Sequence, residues 1–217
     1  MGKRAWLRYA LLLGLLIGVP ALAFVGVEAY NSLNRSLPVI NPNPKEEQTH
    51  RIPAFAFVNQ NGDTVRQADF KGKVYVANFF FTACPSTCPP MMENLTRVQK
   101  RFQDTGQLAI LSHTVDPKHD TVEALHAYAQ EYGVREDQWD LVTGSKASLY
   151  TMARNAYDVA SLEGGDGLAG FVHSSKLILV DRQQRIRGYY DGTEKQAVNE
   201  LMKDIAFLLK QPQQAQS

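Results

Sequence analysis

The chain has 217 residues, with 23 Lys and Arg against 22 Asp and Glu and a formal net charge of +1. Such a balance offers no basic footprint for nucleic acid. Two cysteines, Cys84 and Cys88, are too few for a disulfide scaffold, so they mark a local site.

Lys3, Arg4 and Arg8 precede Tyr9 to Val27, a run without charge that ends at Glu28. About 20 apolar residues fit a bilayer core, and the basic flank stays on the cytoplasmic side. Ala21-Leu22-Ala23 has the form of a signal-peptide cleavage site. Apolar sequence continues past it through Phe24, Val25 and Val27, which favours a retained transmembrane helix within residues 1–30. Either reading exports the rest of the chain. The expected location is the inner (cytoplasmic) membrane, single-pass, with the domain on the periplasmic or extracytoplasmic side. Residues 31–51 are polar and hold Pro38, Pro42 and Pro44, so a flexible linker is expected there.

One domain is expected over residues 52–211, with a frayed tail at 212–217. Ala54 to Val58 alternates, Asn61-Gly62 is a hairpin turn, and Thr64-Val65 starts the return strand. Val74 to Phe81 is a continuous apolar run whose β-branched and aromatic content predicts a buried central strand. Met91 to Phe102 carries Leu95, Val98 and Phe102 at helical spacing, after Pro89 and Pro90, which suit a first helical turn. Leu108 to Val115 predicts a second buried strand. Thr121 to Tyr132 predicts a helix with Asp120 as N-cap and Gly133 at its end. Trp139 to Val142 suits a short strand, and Ser145 to Tyr157 a helix with Leu149, Met152 and Ala156 inward. A glycine-rich run, Glu163 to Gly167, is expected to be flexible. Phe171 to Val180 and Ile186 to Tyr190 predict paired strands around a turn at Asp181 to Gln184. Thr193 to Lys210 closes the domain as an amphipathic helix on Val198, Leu201, Ile205 and Leu208. This order implies an α/β fold, a mixed central sheet flanked by helices and preceded by a β-hairpin. Cysteines between a strand and a helix make the arrangement thioredoxin-like.

A helix N-terminus favours negative charge, so a thiol there sheds its proton more readily. Two cysteines four apart can close a disulfide or grip one soft metal ion. Met91 and Met92 could offer thioether sulfur, but helix packing is the expected use of each. Asp116 before Pro117 sets a turn, with a second role in tuning the site or meeting a partner left open. His113, His119 and His126 are weaker candidates, and Phe79 to Phe81 belong to the core and its wall.

Thr82-Ala83-Cys84-Pro85-Ser86-Thr87-Cys88-Pro89 resembles the cysteine motif of the Sco/SenC proteins, membrane-tethered copper chaperones for cytochrome c oxidase assembly. Val115-Asp116-Pro117-Lys118-His119-Asp120-Thr121 is similar to the second signature of that family. His173-Ser174, followed by Lys176 to Asp181, is similar to its third, although Val172 stands where many members carry an acidic residue. The resemblance runs from about Ile52 to Lys210. It implies that Cys84, Cys88 and His173 bind one copper ion, Cu(I) or Cu(II), per chain. Thiolates suit Cu(I), and imidazole suits either state. The implied role is a metallochaperone that delivers copper to the dinuclear copper site of the oxidase. The implied partners are the copper-bearing subunit, other copper carriers or a thiol reductant, and the bilayer. The alternative is a thiol–disulfide oxidoreductase that uses Cys84 and Cys88 as a redox pair to reduce the target's cysteines before metal enters. A peroxidase of the same fold fits less well, because its second cysteine is not usually placed four residues away.

Overall fold

A computed structural model of the chain describes residues 13–14, 16–27, 36–41, 50–159 and 174–211. It divides into two units, residues 1–37 and 38–217. In the first, residues 13–14 and 16–27 are helical, and Leu16, Leu22 and Phe24 are exposed. Among the described residues no helix is long and apolar enough to cross a membrane. The expected span from Tyr9 to Val27 falls partly outside them, at residues 9–12 and 15.

The second unit is built on a seven-stranded sheet in the order β2-β1-β5-β4-β3-β6-β7. The strands are β1 (Ala56–Asn59), β2 (Thr64–Arg66), β3 (Val74–Phe80), β4 (Leu108–Thr114), β5 (Trp139–Thr143), β6 (Lys176–Val180) and β7 (Ile186–Asp191). Every residue of β3 and β4 is buried. These two pair in parallel at the centre, where both faces are covered, which is why their sequences read as unbroken apolar runs. β5 extends the parallel part, while β6 joins β3 antiparallel, Tyr75 opposite Val180. Successive side chains of β3 point to opposite faces. Tyr75, Ala77 and Phe79 share a core with Phe57, Phe70, Leu149, Met152, Ala156 and Tyr157. Asn78 and Phe80 face the other way, toward the helices α1 (Cys88–Phe102) and α2 (Val122–Glu131). The last two helices are α3 (Lys146–Thr151) and α4 (Lys195–Lys210). α4 buries Val198, Leu201, Ile205 and Leu208, the stripe its periodicity predicts.

Four local outcomes differ from the sequence reading. α1 starts at Cys88, three residues ahead of Met91, and takes Pro89 and Pro90 into its first turn. Prolines are tolerated there because the first amide groups of a helix have no partner within it. The N-cap of α2 is Thr121, whose hydroxyl accepts from the Ala124 N–H at 3.3 Å, so Asp120 is released for another task. α3 does not run on to Tyr157 as α-helix. It widens into a π-turn at Met152–Ala156, closed by the Tyr157 N–H on the Met152 carbonyl at 3.0 Å. The wider turn leaves Met152, Ala153, Ala156 and Tyr157 all buried, with the Tyr157 hydroxyl 3.2 Å from that of Tyr75.

The fourth concerns the expected linker. The Ile40 N–H donates to the Ile186 carbonyl at 2.9 Å in an isolated antiparallel bridge, and Arg187 Nε donates to the Pro38 carbonyl at 2.9 Å. Farther on, the Ile52 N–H meets the Gln184 carbonyl at 2.8 Å. Residues 38–40 thus belong to the folded unit. β7 lies at the edge of the sheet, and its unpaired backbone groups take a short partner that carries no strand pattern of its own. Residues 42–49, the Glu163 to Gly167 run, the expected strand start at 171–173 and the tail at 212–217 lie outside the described residues.

Candidate metal and thiol site

β3 ends at Phe80, and the chain turns before entering α1. The turn is closed by the Cys84 N–H on the Phe81 carbonyl at 3.2 Å. At the start of α1, the Cys88 N–H donates to Cys84 Sγ at 3.3 Å. An orphan amide of the helix terminus is therefore spent on sulfur, which turns the diffuse attraction of a helix end for negative charge into a directed bond. Both cysteines are free thiols and buried, 7% and 3% exposed.

Their acidities diverge. Burial alone would raise the Cys84 thiol, but hydrogen bonds from the Cys88 side chain and from the backbone of Ser86, Cys88 and Thr87 outweigh it and hold Cys84 below the ordinary thiol range. At Cys88 burial dominates, the hydrogen bond to Cys84 adds to it, and the thiol is pushed up to about 12. Cys84 is thus the sulfur prepared to carry charge, and Cys88 the one that keeps its proton. The sequence motif distinguishes the two only by order; the fold makes them chemically unlike.

Sequence reasoning missed a third residue. Asp120 is 1% exposed and accepts hydrogen bonds from the Thr82 N–H at 3.3 Å, the Thr82 hydroxyl at 2.5 Å and the Thr114 hydroxyl. Thr82 opens the cysteine turn and Thr114 ends β4. The pairing of Phe80 with Thr114 brings the two within reach of one carboxylate. Asp120 therefore ties the turn to the sheet, and its charge also opposes ionisation of Cys88. The available signal was two capping residues in succession, Asp120 and Thr121, of which a helix can use one. Asp116 lies outward and accepts from His119 Nδ1 at 2.6 Å in an exposed pair.

The remaining candidates fall into place as packing or surface. His113 is fully buried, stacked on Phe79 at 4.9 Å and edge-on to Phe57 at 5.6 Å and Tyr157 at 5.5 Å. Its Nδ1 lies 3.3 Å from the Asn78 carbonyl, its Nε2 is buried without a partner, and burial pushes the ring down to about 4. His126 is exposed beside Gln130. Met91 and Met92 are fully buried, and Met91 Sδ accepts from Asn78 Nδ2 at 3.9 Å. Phe79 and Phe80 are core, with Phe80 stacked on Tyr128 at 5.4 Å.

His173 lies outside the described residues. The residues that follow it are placed: the Ser175 carbonyl accepts from the Gly192 N–H at 2.7 Å, and the Lys176 N–H reaches Ser174 Oγ at 3.3 Å. Among the described residues no group of three or more His, Cys, Asp or Glu could hold a metal ion. The described part of the site is two adjacent sulfurs, one of them a thiol more acidic than usual, a donor set that fits a soft cation. A cavity of about 300 Å³ lined by Asp181, Arg182, Arg185 and Leu208 adjoins Val74, at the opposite end of β3.

Residues 43–210 match the family described as SCO1/SenC. The chain is 29% identical over 163 residues to the SCO1 protein homolog of Bacillus subtilis (strain 168), covering 74% of this chain and 84% of that one. Its fold is similar to that of BsSco, a member of the Sco family of cytochrome c oxidase assembly proteins in which a disulfide switch was identified. That likeness has a TM-score of 0.67 at 25% identity, over 82% of this chain and all of the other. It also resembles the copper-bound ScoI of Arabidopsis thaliana, with a TM-score of 0.56 at 22% identity, over 71% of this chain and 97% of that one. With its sheet thioredoxin-like and its family pattern spanning the second unit but for a few residues at each end, the chain belongs to the SCO1/SenC family.

Proposed function

We propose that this protein carries one copper ion on Cys84, Cys88 and His173 and delivers it to the copper-bearing subunit of cytochrome c oxidase. In this reading an N-terminal helix anchors it in the inner membrane, and the domain works on the periplasmic or extracytoplasmic side. The observation that carries the proposal is the pair of free, adjacent sulfurs at the mouth of α1 in a member of this family. Two thiolates and one imidazole form a three-coordinate set, open to a ligand from the recipient before the donor's own ligands let go. Cys84, held below the ordinary thiol range by its hydrogen bonds, gives up its proton more readily than Cys88. Cys88 must release its proton to the medium as copper enters, so uptake is coupled to pH.

The test is copper retention by the reduced full-length chain in detergent, loaded without oxygen and passed through a desalting column. About one copper per chain is expected. The variant His173→Ala is expected to retain much less while keeping its Cys84–Cys88 redox couple. Wild-type protein that emerges without copper would overturn the proposal.

The unequal thiols favour a second activity. Cys84 thiolate attacks a disulfide of the target, forms a mixed disulfide and expels one target thiolate. Cys88, once deprotonated, attacks Cys84 Sγ, closes the Cys84–Cys88 disulfide and releases the second target thiolate. Two electrons pass from this chain to the target. A Cys88→Ser variant stops at the mixed disulfide, so capture of the oxidase subunit by that variant supports the second activity, and its absence counts against it.

A further inference from the structure

Four arginines gather at the turn between β6 and β7. Arg182 is only 8% exposed and closes the end of α4. Its Nη1 donates to the carbonyls of Leu208 at 2.6 Å and Gln211 at 3.1 Å, and its Nη2 to the Leu209 carbonyl at 3.2 Å and Gln107 Oε1 at 2.7 Å. Its Nε is buried without a partner among the described residues. Arg185 donates through Nε to Asp181 Oδ2 at 2.9 Å and through Nη2 to Gln183 Oε1 at 3.1 Å. Arg187 Nη1 donates to the same Asp181 oxygen at 2.9 Å, and Arg51 Nη1 to the Gln183 carbonyl at 2.9 Å.

The charges here do not cancel. Asp181 is the one carboxylate that these arginines meet, and Arg185 and Arg187 already share it. Arg182 faces the end of a helix, which counts for about half an elementary charge. A buried guanidinium short of counter-charge is costly unless an anion completes it. Beside it lies the cavity of about 300 Å³, with Arg182, Arg185, Gln183 and Asp181 on its polar side and Val74 and Leu208 behind. Guanidinium groups match the paired oxygens of a phosphate better than any other side chain does.

We propose that this cavity is an anion site for a phosphate group, either inorganic phosphate or the phosphodiester of an acidic lipid. Copper plays no part, since the cavity lies at the end of β3 away from the cysteines. The lipid source rests on the membrane reading above. It is in reach, because Arg187 holds the Pro38 carbonyl at this end, and 11 residues separate Pro38 from Val27, the end of the apolar run. Those residues span about 40 Å at full stretch.

The experiment compares wild type, Gln183→Glu, Arg185→Gln and Gln130→Glu as full-length chains in uncharged detergent. Gln183→Glu keeps the acceptor for Arg185 Nη2 and adds a negative charge at the cavity wall, so the fold is spared while an anion is repelled. Gln130→Glu adds the same charge on an exposed site of α2 that does not line the cavity. The first readout is the unfolding midpoint as inorganic phosphate is added, against sodium chloride of equal ionic strength. The second is hydrogen exchange at the Gln183 and Arg185 amides, which donate to Asp181 Oδ1 beside the cavity.

Phosphate is expected to saturate, with its half-point at or below about 1 mM. At about ten times that concentration the folding constant should rise about tenfold, and exchange at the two amides should slow. Gln183→Glu and Arg185→Gln should weaken the half-point at least about tenfold, while Gln130→Glu keeps it. To separate the sources, the same chains are placed in vesicles of phosphatidylcholine alone or with a third of phosphatidylglycerol, without free phosphate. Slower exchange in the second vesicles that Gln183→Glu abolishes assigns the site to lipid. A response to inorganic phosphate with equal exchange in both vesicles assigns it to the free anion. If chloride acts as well as phosphate, if Gln183→Glu responds like wild type, or if neither phosphate nor lipid slows the two amides, the anion site is refuted.

Discussion

His113 gives the fold a measurable sensitivity to acid. Its ring is walled in by Phe57, Phe79 and Tyr157, with one nitrogen lacking any partner. In the unfolded chain it titrates near 6.5; burial in the fold pushes this down to about 4. The folded state therefore favours the neutral ring. Its contribution is fully present above pH 6.5 and is lost as pH falls toward the folded value, because the unfolded chain then binds the proton and the fold does not. At 1.36 kcal/mol per pKa unit, the loss is about 3 kcal/mol by pH 4, with about 2 kcal/mol of it gone by pH 5. The substitution His113→Phe keeps an aromatic ring among aromatic neighbours and removes the proton acceptor. Urea unfolding followed by fluorescence of the buried Trp139 reads the effect. Between pH 7 and about pH 4.5, wild type should lose about 2 to 3 kcal/mol more than the variant. Subtraction cancels the carboxylates, which titrate in both proteins. Parallel pH dependences would refute the assignment of a buried, neutral, proton-refusing histidine.

Two more outcomes are expected. Brief alkylation of the reduced protein near pH 8, mapped by mass spectrometry, should label Cys84 and spare Cys88, and the reverse would contradict the hydrogen-bond pattern at the helix mouth. The substitution Asp120→Asn turns an amide group toward donors that need an acceptor. It should cost about 2 to 3 kcal/mol in denaturant unfolding, and it should lower the pH at which Cys88 reacts, since a negative charge that opposes its ionisation is gone. A stability unchanged from wild type would remove Asp120 from its role as the tie between the turn and the sheet.

What could be read from the chain depended on how local the cause was. β3 and β4 were legible because parallel central strands bury both faces, so Val74 to Phe80 and Leu108 to Thr114 needed no partner in view to be recognised. α4 was legible through its apolar stripe. Cys84 and Cys88 stood out by number and spacing alone. Their inequality did not, because it depends on which backbone amides point at which sulfur. Asp120 was given a local duty as a cap, whereas its real partners, Thr82 and Thr114, come from two other elements. The π-turn at Met152–Ala156 follows from the demand to bury Tyr157 against Tyr75, a contact 82 residues apart in sequence.

The bridge between Ile40 and Ile186 fixes where residues 38–40 join the sheet. Ile186 sits opposite Val180, and Val180 opposite Tyr75, so that junction is level with the first residues of β3. The cysteines follow its last residue. At about 3.3 Å per residue, some 20 Å of strand separates the two ends. A pull on Pro38 would therefore be borne at one end of the central strands, and the sulfurs lie past the other.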